Sequence, residues 1–264
     1  MWVHATGAHP ATQTSDLVGA VPGGVLSRDL GVTVALRETL PEWAVALSAT
    51  LATLGDLLVI VPVLGVLYLA DVGHSLRRGP QTGEPLCSDR TAFLIATVFG
   101  GLALVVLLKG TLALPRPPAE LHAVPASEHG FPSGHTMAAT VCWGALALWL
   151  EVGRRRSRLA VAAAVITLVA GSRLALGVHY LPDVVASVAF GVAYLGVFAV
   201  LVGTRPARAF AIAVVIAVLA TLATGGESRA VLALSGTVGA AIGWQFVEFS
   251  PVRRRLSAAV GGSS

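Results

Sequence analysis

Seven stretches of this sequence are long and apolar enough to be read as helices crossing a lipid bilayer, and that leaves few folds open. A helix needs about 20 apolar residues to span the hydrocarbon core. Inside it, only helices and closed barrels satisfy every backbone amide and carbonyl. The stretches fall near Trp43–Ala70, Thr91–Leu114, Thr136–Leu150, Leu159–Leu176, Val184–Val202, Phe210–Leu222 and Ala230–Val247. The third and sixth are short, and the seventh is rich in Gly and Ser. Composition agrees: 12% of residues are charged, against about 25% in a soluble domain, and the mean hydropathy is +0.78. The expected fold is all-α, a polytopic transmembrane bundle of six to seven spans.

Around this bundle the sequence divides into an N-terminal segment 1–42, a membrane domain 43–250 and a basic C-terminal tail 251–264, flexible at Gly261–Ser264. Within the first segment, Gly24–Leu40 has the pattern of an amphipathic helix lying on a membrane surface. Residues 1–42 lack a basic start followed by an apolar stretch, so the first span is expected to direct insertion itself. Cys87 and Cys142 are far apart and read as structural.

Alternating spans sort the arginines unequally. One side receives Arg77, Arg78, Arg90, Arg154, Arg155, Arg156, Arg158, Arg205, Arg208, Arg253, Arg254 and Arg255, and the other only Arg28, Arg37, Arg116, Arg173 and Arg229. The richer side is expected in the cytoplasm, which turns the loops 115–135 and 177–183 outward. Basic clusters between apolar segments are the pattern of membrane loops, so the pI near 9.7 points to anionic lipid headgroups and not to nucleic acid. Oligomeric state is not legible.

Three polar pieces interrupt the apolar background, all at outward helix ends. The first is Lys109 followed by Arg116 and Pro117. Lys109 is the only lysine among eighteen basic residues. Seven residues, close to two helical turns, would let Lys109 and Arg116 face the same way, unless the pair only anchors a helix end at the interface. The second is Phe131-Pro132-Ser133-Gly134-His135, where Ser133 suits a helix N-cap and Gly134 admits a close ligand. Free amides at such a start attract an anion, although a capped helix with an incidental histidine would read the same.

The third piece runs from Ser172-Arg173 to His179 and Asp183. A charge at the end of an apolar run calls for a partner or a ligand. His179 and Asp183 are four residues apart, so the carboxylate can hold one ring nitrogen and leave the other free to attack; a cap on a tight turn is the plainer alternative. Together, three cations, an anion-binding helix start and two histidines make an inventory for phosphoryl transfer.

In that order, K-x(6)-R-P, P-S-G-H and S-R-x(5)-H-x(3)-D resemble the three signatures of the type 2 phosphatidic acid phosphatase superfamily. The resemblance covers Lys109 to Asp183 and implies a role for each residue. His179 would be the nucleophile forming a phosphohistidine, with Asp183 orienting it. His135 would be the general acid that protonates the leaving oxygen and later helps to activate water. Lys109, Arg116, Ser133, Gly134 and Arg173 would hold the phosphate. It implies a metal-independent phosphatase without a cofactor, with its site at the outer end of a helical bundle in the cell membrane. A lipid phosphate is the expected substrate: polyprenyl pyrophosphate, a phosphatidate-like lipid or phosphatidylglycerol phosphate. A small soluble phosphate ester and a non-catalytic phosphate-binding protein are the alternatives.

Asp56 lies inside the first apolar run, either as a paired or functional charge or as the start of a helix at Leu57. His122, Glu128 and His129, in the loop before Ser133, either line a substrate entrance or are simply solvated. His74 falls in a cytoplasmic loop, outside the site.

Overall fold

A computed structural model describes residues 28–78, 85–249 and 251–252 of the chain. The described residues are helical with no strand: α1 (Gly31–Thr39), α2 (Glu42–Ala52), α3 (Leu57–Arg78), α4 (Asp89–Leu112), α5 (Gly134–Trp149), α6 (Arg155–Ala175), α7 (Leu181–Val197), α8 (Pro206–Ala223) and α9 (Ser228–Glu248). Six are long and apolar enough to cross a membrane: α3, α4, α6, α7 with its wider final turn to Val202, α8 and α9. Helix α5, on the expected third stretch, is shorter than these six, with 16 residues rising about 24 Å.

The expected first span, Trp43–Ala70, is not one helix. It breaks at a tight turn, Thr53–Gly55, and α3 begins anew after Asp56. Besides Gly55 and Asp56 the run holds Pro62 and Gly65, yet both of those lie inside α3, so packing decides where the chain breaks. The indole nitrogen of Trp143 donates to the Leu54 carbonyl at 2.9 Å, and a Cβ on Gly55 would lie 2.4 Å from the His135 carbonyl oxygen. The corner is seated directly on the start of α5.

Helix α4 is the most buried span and packs against α5, α8 and α9. Small residues allow the close approach that lipid-embedded helices need. A Cβ on Gly101 would meet a Val141 methyl at 2.5 Å, and one on Gly100 would meet the Tyr194 hydroxyl at 2.6 Å. The Tyr194 hydroxyl donates to the Thr97 carbonyl at 2.8 Å. Phe93 meets Trp149 edge-on at 5.0 Å in the same core. Helix α3 buries only Ile60 and Leu64, and exposes Leu58, Val66 and Leu69, as a lipid-facing helix does.

Described loops gather at the two ends of the bundle. At one end, the Glu248 carboxylate accepts from the Cys87 amide at 2.9 Å, and Arg90 pairs with Glu151. At the other lie the Thr53–Asp56 corner, the loop between α4 and α5, the α6–α7 turn and α1. Within the expected surface helix, residues 24–27 lie outside the described residues, as does Gly261–Ser264 of the expected flexible tail. The described remainder forms α1, whose Thr33 is fully buried and donates to the His179 carbonyl at 3.0 Å.

Candidate active site

Helix α4 stops at Leu112, because Ala113 turns left-handed with φ of 46° and prolines follow at 115, 117 and 118. Lys109 is therefore in the last helical turn while Arg116 lies beyond it, so the expectation that two helical turns align them is not met. They converge because the loop before α5 folds back over both. Lys109 Nζ donates to the His129 carbonyl at 2.8 Å. Arg116 donates through Nε to the Ser127 carbonyl, through Nη2 to the Ser127 hydroxyl at 2.9 Å, and through Nη1 to the Val178 carbonyl at 2.7 Å. His129 and Ser127 hold the two cations through their backbone carbonyls, while the Glu128 side chain is exposed and that of His129 half-buried. His122 folds inward as well, with Nε2 3.0 Å from the Pro117 carbonyl.

Ser133 occupies the cap position of α5 without capping through its side chain. Its buried hydroxyl pairs with the Thr136 hydroxyl at 2.9 Å, and its amide donates to the Asp183 carbonyl at 3.4 Å. Gly134 leaves room for Lys109, whose Cε would sit 3.3 Å from any Cβ there. His135 follows in the first turn, and its Nε2 lies 3.4 Å from Asp56 Oδ2.

The third piece closes the site. Arg173, only 6% exposed in the last turn of α6, has its Nε buried with no partner among the described residues. The chain then turns through Gly177, at φ of 73°, where a Cβ would come within 2.0 Å of the Leu121 carbonyl oxygen. His179, 1% exposed, places Nδ1 3.4 Å from Asp183 Oδ2 and Nε2 3.1 Å from Arg116 Nη1. Arg116 is a donor only, so Nε2 is the acceptor and the proton sits on Nδ1, facing the carboxylate. Burial, reinforced by Arg116, Arg173 and Lys109, holds the His179 pKa well below the usual histidine range. The ring is neutral at physiological pH, with its Nε2 lone pair turned toward the cations.

Asp183 holds this arrangement as the third residue of α7. Its Oδ2 accepts from the Tyr180 amide at 3.0 Å, closing the helix start. Arg28 Nη2 pairs with Oδ1 at 3.2 Å while its guanidinium covers the Tyr180 ring, 4.6 Å from the centroid. Arg116 remains charged at neutral pH, since burial brings it down only to about 10. Among the described residues, no three His, Cys, Asp or Glu side chains gather as metal ligands.

All eight residues singled out in the sequence thus meet at one end of the bundle. Sequence reasoning passed over Arg28 and Thr33, and left Asp56 between two readings that prove compatible: one oxygen caps α3 by accepting from the Leu58 amide at 2.9 Å, the other faces His135. It also passed over Arg229, in the first turn of α9, which adds to the positive field at Arg116.

Comparison with known proteins agrees with this architecture. No curated protein matches the chain. A solved structure, the first transmembrane PAP2-type phosphatidylglycerolphosphate phosphatase from Bacillus subtilis, is similar with a TM-score of 0.52 and 23% identity, covering 66% of this chain and 83% of that one. At that identity the likeness shows a shared fold. The family model of the PAP2 superfamily matches residues 90–207. That stretch contains every residue from Lys109 to Asp183 discussed above, and over it the chain is similar to the PAP2 superfamily.

Proposed function

We propose that this chain is a membrane phosphatase that hydrolyses a lipid phosphate or pyrophosphate through a phosphohistidine on His179. The observation that carries the reading is the state of that imidazole. It is neutral and buried, its Nδ1 proton faces Asp183, and its Nε2 lone pair lies 3.1 Å from a guanidinium. A phosphoryl oxygen arriving beside Nε2 takes over the Arg116 donor, and Arg173 Nε and Lys109 Nζ supply further charge. Nε2 then attacks phosphorus and the ester P–O bond breaks, while the leaving oxygen takes a proton from His135. In the second half, His135 accepts a proton from water as the water oxygen attacks phosphorus. The P–N bond breaks and releases phosphate. Electrostatic positioning of this kind carries most of the catalysis in phosphoryl transfer.

The lipid reading is supported by depth and by an apolar groove. Helices α6 and α7 diverge below the His179 turn over a floor of α5, leaving a groove of about 800 Å³. Leu174, Leu181 and Val188 line it, as do Ile166, Leu195 and Gly196. A hydrocarbon chain lying there would enter directly beneath the phosphate. The arginine bias supports a site on the outer face of the membrane.

The test is phosphate release by the purified chain in detergent with a chelator present, over phosphatidylglycerol phosphate, phosphatidate, a polyprenyl pyrophosphate and glucose phosphate. Release from lipids is expected, and its loss in His179→Ala. Undiminished turnover in that variant refutes the nucleophile, and a preference for the sugar phosphate refutes the lipid assignment. Vanadate binding without turnover of any substrate would favour a non-catalytic protein.

A further inference from the structure

Asp56 reaches the site from outside the three motifs, 79 residues before His135, and its two carboxylate oxygens do different things. Oδ1 accepts from the Leu58 amide and starts α3. Oδ2 stands 3.4 Å from His135 Nε2. A helix start alone does not call for a carboxylate at this depth, since Ser or Asn caps as well without the cost of a charge near lipid. The second oxygen therefore needs its own explanation.

The corner that carries Asp56 is held on three sides. Trp143 of α5 grips the Leu54 carbonyl at 2.9 Å. Gly55 lies so close that a Cβ would strike the His135 carbonyl oxygen at 2.4 Å and Val169 of α6 at 3.1 Å. Ala52, just before the corner, is buried with Leu176 and Val178 of the turn that carries His179. The carboxylate is thus delivered to His135 by a stiff element. Charge completes the picture: Arg173 from α6 and Lys109 from α4 both bring positive charge toward His135, and Asp56 is the carboxylate that answers them.

We propose that Asp56 is a positioning residue for His135, holding the proton on Nε2 so that Nδ1 faces the leaving oxygen as the proton-donating nitrogen. This rests on the phosphatase reading above. With Asp56 accepting from Nε2–H, the ring delivers its Nδ1 proton: the N–H bond breaks, an O–H bond forms on the departing alcohol, and the ring is left neutral with Nε2–H still on Asp56. In the hydrolytic half, the same nitrogen takes a proton back from water. The site would then carry two histidine–aspartate pairs of opposite duty. Asp183 holds Nδ1 of His179 and frees Nε2 to attack; Asp56 holds Nε2 of His135 and frees Nδ1 to protonate.

The experiment compares two leaving groups on the full chain in detergent: p-nitrophenyl phosphate, which departs without help, and a long-chain alkyl phosphate, which needs a proton. Asp56→Asn and Asp56→Ser both preserve a helix cap and remove the charge. The expected result for each is a fall in kcat/KM of about tenfold or more on the alkyl phosphate. Orthovanadate affinity should be unchanged. The kcat/KM for p-nitrophenyl phosphate, which reports only the steps up to departure of the leaving group, should be little affected, and that for the alkyl phosphate partly restored by Asp56→Glu. Adding Asp56→Asn to His135→Ala should cost little more than His135→Ala alone, as for groups that act together. Equal losses in kcat/KM on both substrates, or losses that simply follow a lower melting temperature, would overturn the proposal and leave Asp56 a cap. A wild-type chain that turns over neither substrate would instead refute the phosphatase reading itself.

Discussion

A single methyl group added at Gly177 should cripple the site, and the same methyl six residues earlier should not. Gly177 sits in the turn that carries His179, with φ of 73° and a would-be Cβ 2.0 Å from the Leu121 carbonyl oxygen and 2.7 Å from its carbon. A left-handed conformation costs a residue with a Cβ about 1–2 kcal/mol. Relieving a clash against backbone moves two loops apart by more than an ångström, and overpacking of that kind costs about 1–3 kcal/mol. Together Gly177→Ala should destabilise by about 2–5 kcal/mol, lowering the melting temperature by roughly 5–15 °C in a chain of this size. The loops pushed apart hold His179 and, through Ala123 bonded to the Leu176 carbonyl at 3.0 Å, the segment that fixes Arg116. A misplacement of that size can cost about a hundredfold in rate. Gly171, in α6, lines the apolar groove but has nothing within 4 Å of its would-be Cβ, so Gly171→Ala gains helix propensity, up to about 1 kcal/mol, and should leave turnover of a short soluble phosphate ester intact. Thermal unfolding in detergent and phosphate release read both variants. Wild-type activity and stability in Gly177→Ala would refute the claim that this turn is fixed by contact with the Leu121 segment.

Two further predictions follow from the same geometry. His179 resists protonation when folded, whereas the unfolded chain takes up that proton near pH 6.5; stability is therefore full above that pH and declines below it, and His179→Asn should flatten the decline in melting temperature between pH 7 and 5. An unchanged slope would remove His179 from the acid sensitivity. Gly196 lines the apolar groove with open space beyond its Cβ position, so Gly196→Phe should lower kcat/KM for long-chain lipid phosphates several-fold relative to a short soluble ester. Equal effects on both would exclude the groove as the seat of the hydrocarbon chain.

The number and order of the later spans are legible in sequence because lipid-facing and buried residues are both apolar, which makes each crossing a long continuous signal. The same uniformity blurs the break in Trp43–Ala70, whose local sign is Asp56, readable either as a paired charge or as the start of a helix at Leu57. The break is held by Trp143, some 90 positions later, which takes the Leu54 carbonyl, and by the close seat of Gly55 on the His135 carbonyl. The motif residues were legible as an inventory of charge, yet the spacing argument for Lys109 and Arg116 was wrong in its reason: Ala113 ends the helix between them.

What holds the cations was not legible at all, since the groups involved are backbone carbonyls of His129, Ser127 and Val178, and a carbonyl has no signature in sequence. Under the proposed function, the two motif arginines would divide the work of holding phosphate. Arg116 is tied through Nε, Nη1 and Nη2 to groups already in place, so its orientation is set before any phosphate arrives and costs little to use. Arg173 is more deeply buried, and its Nε has no partner among the described residues. Asp56 offsets part of its charge, and a bound phosphate would offset more. One arginine is fixed by the protein and the other is left with a donor to offer. Under the proposed mechanism that asymmetry gives the two arginines different duties: Arg116 is set in advance beside Nε2 of His179, and Arg173 keeps a donor for the phosphate.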